Sequence, residues 1–116
     1  MFNEGPRQSA YLMRGMPQVD FPITASPEAQ AFFNQGVGQL HGFWYFEAER
    51  SFRQVARIEP DCPMAYWGMA LANFGNAQRG KDFITRAQER KARATPREQA
   101  WISAAHDYLH AKEDNT

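Results

Sequence analysis

The feature that most constrains this chain is a recurrence at a period of about 34 residues. Phe32, Tyr66 and Trp101 are large aromatics spaced 34 and then 35 residues apart. Gly36, Ala70 and Ala105 follow them, each four residues later. A large side chain with a small one a turn away lets a neighbouring helix approach closely. Repeated at this period, the pairing predicts stacked helical units, each covering the apolar face of the one before.

Local signals predict five helices. Ser26-Pro27-Glu28 supplies an N-cap, a proline at the first helical position and an acid in the first turn. Ala29, Phe32, Phe33, Gly36, Val37 and Leu40 then recur at helical spacing, and Gly42 closes the segment. A second helix is expected from about Phe46 to Glu59, with Ala48, Phe52, Val55 and Ala56 on one side and Pro60 as its stop. The third, Pro63 to Phe74, is apolar nearly all round and needs cover on several sides. After the Gly75-Asn76 turn a fourth runs from about Arg79 to Ala94. Thr95-Pro96-Arg97-Glu98 reads as a capping box that starts a fifth, ending near Leu109. Residues 1–25 carry Gly5, Pro6, Gly15, Pro17 and Pro22, with Val19, Phe21 and Ile23 alternating at the end. They read as an extended arm. Residues 26–111 form the helical domain, and residues 112–116 read as a polar tail.

With these residues in place, the chain resembles the tetratricopeptide-repeat family. The first unit matches the family pattern at Phe32, Gly36, Ala48, Phe52, Ala56 and Pro60. The second matches at Tyr66, Met69 and Ala70, and the third at Trp101, Ala104, Ala105 and Tyr108. Gln35 and Gln39 depart from it, standing where apolar residues are expected, and Phe83 and Ala87 exchange a small and a large position. The runs EAERSF and MAYWGMA also resemble the N-terminal part of large bacterial repeat proteins. The resemblance implies an all-α, right-handed stack of about two and a half antiparallel helical hairpins. It also implies a concave groove lined by the first helix of each hairpin. Carried onto this sequence, that groove is Phe33, Val37, His41, Trp67, Leu71, Ile102 and His106. Family members that clamp a terminal carboxylate use lysine, asparagine and arginine there. Phe33 and Val37 take those places here, so no carboxylate clamp is expected.

Composition narrows the function further. Thirteen basic residues balance thirteen acidic ones in 116, so no global positive field gathers nucleic acid. The cluster Lys81, Arg86, Arg90, Lys91 and Arg93 reads as a solvated helix face. No apolar run approaches the roughly 18 residues that span a bilayer, and Met1 to Arg14 does not read as a signal peptide. The single cysteine, Cys62, has no CxxC context and no internal disulfide partner. His106 and His110 lie one turn apart, but a structural zinc needs about four ligands, and the other candidates, His41 and Cys62, are distant in sequence.

The expected function is therefore partner recognition or scaffolding through the apolar groove, without a cofactor and without catalysis. A protein or peptide fills the groove in that reading; in a rival one the arm covers it as part of the core. A second hypothesis makes the chain the building block of a homomeric assembly. There the arm, or a last-helix face of Trp101, Tyr108 and Leu109 together with Ile102, docks on another copy or on further repeats of a longer parent. A metal protein or small enzyme using His41, Cys62, His106 and His110 is the weakest of the three.

Overall fold

The computed structural model describes residues 21–73 and 75–114, with side chains described to residue 111. Val19 and the rest of the expected arm up to residue 20, and the expected helix end at Phe74, lie outside the described residues. What is described is all-α: α1 (Pro27–His41), α2 (Tyr45–Ile58), α3 (Pro63–Ala72), α4 (Ala77–Glu89) and α5 (Pro96–Asp114), with a 3-10 turn at Lys91–Arg93. Among the described residues there is no strand.

The helix starts follow local chemistry. Ser26 Oγ accepts from the Ala29 amide at 3.3 Å, and Asn76 Oδ1 accepts from the Arg79 amide at 3.2 Å. The capping box at α5 is reciprocal: the Thr95 amide donates to Glu98 Oε1 and the Glu98 amide to Thr95 Oγ1, each at 3.1 Å. Two ends differ from the sequence reading. The fourth helix stops at Glu89 instead of continuing to Ala94: Lys91–Arg93 tighten into the 3-10 turn, and Ala94 is extended at φ −97°, ψ 153°. The last helix runs on to Asp114, beyond the expected end near Leu109 and into the residues read as a tail.

Each helix packs on the next, and α3 also touches α1 and α5. At the centre, Phe52 of α2 is fully enclosed. A Cβ built on Gly36 of α1 would lie 2.7 Å from its ring, and one on Gly68 of α3 would lie 2.5 Å from its Cγ. The two glycines therefore bring α1 and α3 directly onto the ring. Gly80 does the same service for α4, its Cβ position being 3.4 Å from the Ala70 and Asn73 carbonyls of the α3 end.

The two glutamines that depart from the repeat pattern are buried. Gln35 Nε2 donates to Ser51 Oγ at 3.0 Å, and Ser51 Oγ donates to Gln39 Oε1 at 2.7 Å. This relay ties α1 to α2 with polar groups that would otherwise be costly to bury. Glu49 is likewise buried and paired. It accepts from Arg53, from Arg79 at 2.6 Å and from Asn73 at 2.9 Å, joining α2, α3 and α4.

The α1–α2 link contains Phe43 at φ 63°, in the left-handed region. That conformation costs an L-residue about 1–2 kcal/mol, and the side chain is 75% exposed. Phe43→Gly should therefore raise stability by about 1 kcal/mol in urea melts. A loss of stability would show instead that its ring contact with Tyr45, at 6.2 Å, outweighs the strain.

Candidate interaction site

Three helices each contribute one aromatic ring to a common box. Phe33 of α1, Trp67 of α3 and Trp101 of α5 are spaced 34 and 34 residues apart. Phe33 and Trp67 stack with centroids 6.0 Å apart, and Trp67 meets Trp101 edge-on at 6.1 Å. This corrects the register expected from sequence: Trp101 joins Phe33 and Trp67, not Phe32 and Tyr66. Tyr66 sits elsewhere, its hydroxyl donating to the Pro60 carbonyl at 3.1 Å, with the Arg90 guanidinium 4.6 Å above its ring.

Phe21 fills the box. Its ring lies 5.4 Å from Phe33, 5.6 Å from Trp67 and 5.5 Å from Trp101, tilted against all three. Tilted and edge contacts at this range suit the charge distribution of aromatic rings. The backbone around Phe21 is held by side chains of the helices. The Phe21 amide donates to Asn34 Oδ1 at 3.0 Å, and the Phe21 carbonyl accepts from Gln30 Nε2 at 2.7 Å. The other end of the same Gln30 amide, Oε1, accepts from the Ile23 amide at 2.8 Å. Further along, the Thr24 amide donates to Glu98 Oε2 at 2.7 Å and the Ser26 amide to Glu59 Oε2 at 2.5 Å. Because Phe21 lies level with Asn34 and Ile23 with Gln30, this segment runs back along α1 against its direction.

The residues expected in the groove are distributed unevenly. Phe33, Val37, Trp67 and Ile102 are buried at 0%, 5%, 5% and 0% exposure, so they are interior to the packed and arm-covered body. Leu71 and His106 are half-buried, and His41 is exposed at the end of α1. The expected assembly face also divides. Tyr108 and Trp101 are 59% and 40% exposed, whereas Leu109 is 1% exposed. A Cβ on Gly80 of α4 would lie 3.5 Å from Leu109 Cδ2. The correction has a simple cause: α4 already covers the flank of α5 that carries Leu109.

Of the side chains that hold the arm's backbone, Gln30 and Asn34 were not singled out by sequence, and Glu98 was read only as the acid of a capping box. A usable signal existed in Gln30, Asn34 and Val37, which follow the i, i+4, i+7 spacing of one face that Phe33 shares. Four successive aromatics, Phe43 to Phe46, were also passed over. They border an open cleft of about 900 Å³ whose other side is Asn73, Asn76 and Arg79.

No group of three or more His, Cys, Asp or Glu comes together among the described residues. The His106 and His110 rings lie 4.1 Å apart, and His110 Nδ1 is 2.8 Å from the His106 carbonyl, a partner on its own helix. Burial pushes the Cys62 thiol above its ordinary pKa, against smaller opposing hydrogen bonds from the Ala65 and Met64 amides. It is thus a poorer nucleophile than a free thiol. No described helix is long and apolar enough to cross a membrane. Comparison with protein-family models, with curated proteins and with solved structures finds no match to this chain.

Proposed function

We propose that this chain is a tetratricopeptide-like module, a right-handed stack of about two and a half antiparallel hairpins, that recognises an extended segment of a partner protein. The site is the box of Phe33, Trp67 and Trp101 with the amides of Gln30 and Asn34 beside it. The observation that carries this reading is the way residues 21–26 lie on that face. An aromatic side chain fills the box while helix side chains grip its backbone, which is how a helical scaffold takes up a peptide. The 34-residue spacing of the three rings supports the repeat, since equivalent positions of successive units would line one surface. In this reading the arm guards the site, and a partner must displace it.

Phe21→Ala in the full chain should open the box while leaving helicity intact. Emission from Trp67 and Trp101 should shift to the red, and a hydrophobic dye should bind more strongly. A displayed library of random peptides should then yield ligands for the opened chain that are lost with Gln30→Ala and Asn34→Ala. Selection that yields no ligand sensitive to those two changes would remove the reading.

The homomeric alternative draws on the same contacts, because an arm can dock on a second copy through the bonds it makes on its own body. Sedimentation of the intact chain decides it: an oligomer that Phe21→Ala dissolves is an arm exchange, and a monomer excludes it.

A further inference from the structure

We infer that the segment recognised at this face has a defined motif: an aromatic residue, then proline, then an aliphatic residue, then any residue except proline. The inference rests on the reading just proposed and names its ligand class. Residues 21–26 are one segment held at this face, and each of the first four positions has its own physical reason.

The first position is set by the box. Three rings from three helices surround Phe21 at nearly equal centroid distances, 5.4, 5.6 and 5.5 Å. A flat ring meets all three at favourable tilts, and a branched aliphatic side chain forfeits those ring contacts. The second position is set by Gln30, whose single amide spans it. Gln30 bonds the Phe21 carbonyl and the Ile23 amide and makes no demand on the nitrogen of residue 22. Proline, which has no N–H, leaves no donor unpaired there, and its ring holds the preceding residue extended, as Gln30 and Asn34 require. The third position faces the body. Along the segment, exposure alternates with period two: Phe21, Ile23 and Ala25 are partly buried and Pro22 and Thr24 are exposed. Ile23 packs against the core, so an aliphatic side chain is read there. The fourth position is read only through its backbone. The Thr24 amide donates to Glu98 Oε2, a side chain that is 5% exposed and anchored by its own capping box. Proline at that place would leave a buried carboxylate oxygen without this donor, while the side chain itself points to solvent.

The experiment uses the full chain carrying Phe21→Ala and a fluorescent synthetic peptide of residues 18–26, followed by anisotropy. Binding is expected, and at least about tenfold more weakly to the wild-type chain, whose tethered arm competes at high effective concentration. Within the peptide, Phe21→Leu and Ile23→Asp should each weaken binding by about tenfold or more. Pro22→Ala should weaken it several-fold through lost pre-organisation. N-methylation of the Thr24 amide should weaken it by about tenfold, whereas Thr24→Lys should change it less than about twofold. If Phe21→Ala does not fold, as judged by circular dichroism, Ile23→Asp in the chain opens the arm for the same titrations. A peptide with leucine in the box that binds as well as the native one would overturn the motif. So would a binding level indifferent to N-methylation. If these peptides fail while the selected library ligands still depend on Gln30 and Asn34, the motif falls and the peptide-recognition reading stands. If both fail, the reading falls with it.

Discussion

Phe52→Ala should lower the free energy of unfolding by about 3–5 kcal/mol, the range for deleting a fully buried phenylalanine. The effect belongs at the upper end because of what surrounds the ring. Phe52 is 0% exposed and lies between Gly36 and Gly68, residues with no side chain that could swing into the space left behind. The two helices are already in backbone-level contact with the ring, and Phe33 meets it edge-on at 5.3 Å. Filling the cavity would require α1 and α3 to move as rigid bodies, which their other contacts oppose. Urea denaturation measures the loss directly. A change under about 1 kcal/mol would mean that the helices collapse onto each other without cost. Gly68→Ala probes the same junction from the other side, since its Cβ would fall within 2.5 Å of Cγ of an enclosed ring. It should cost about 1–3 kcal/mol by overpacking.

Ile102→Glu should abolish the folded state at neutral pH. Ile102 is 0% exposed on the inner side of α5, and a buried carboxylate without a partner costs several kcal/mol. A domain of this size has only about 5–15 kcal/mol in hand. Loss of the near-ultraviolet circular dichroism and of the cooperative melt is the expected result. Tyr108→Glu on the same helix, at a site 59% exposed, should leave stability within about 0.5 kcal/mol. Equal effects from the two changes would show that α5 presents a different side to the body.

Ile102 and Leu109 were grouped with Trp101 and Tyr108 because all four are apolar on a helix with no successor in the chain. Whether a flank of that helix is already covered by its predecessor is a tertiary fact, and α4 covers the side that carries Leu109. The starts of α1 and α5 were legible because Ser26 and Thr95 with Glu98 act through hydrogen bonds three residues long. Asn76, read as part of a turn, caps a helix that begins at Ala77, ahead of the expected Arg79. The register of the third unit was not legible. Phe32-Phe33 and Tyr66-Trp67 are aromatic doublets, and Ala104-Ala105 is a doublet of small residues, so periods of 34 and 35 fit the pattern equally well. Only the convergence of Phe33, Trp67 and Trp101 on one ring selects between them. The aromatic half of the site was therefore visible, nearly in register. Its polar half was not, because Gln30, Asn34 and Glu98 each have an ordinary role on a helix surface until an extended chain is laid across them.

The bond between Thr24 and Glu98 joins residues 74 positions apart, whereas the helices contact mainly their neighbours in sequence. Short-range contacts form quickly, and a closure over so long a loop comes late. The body should thus assemble first and the arm should dock last, as a separate cooperative unit with its own, smaller opening free energy. Amide hydrogens of Phe21, Ile23 and Thr24 should exchange together, ahead of those in α3. That opening also limits any competing segment kinetically. At high ligand concentration the observed association rate should level off at the rate at which the arm departs, so the lifetime of one docked phenylalanine sets how fast the site can change occupants.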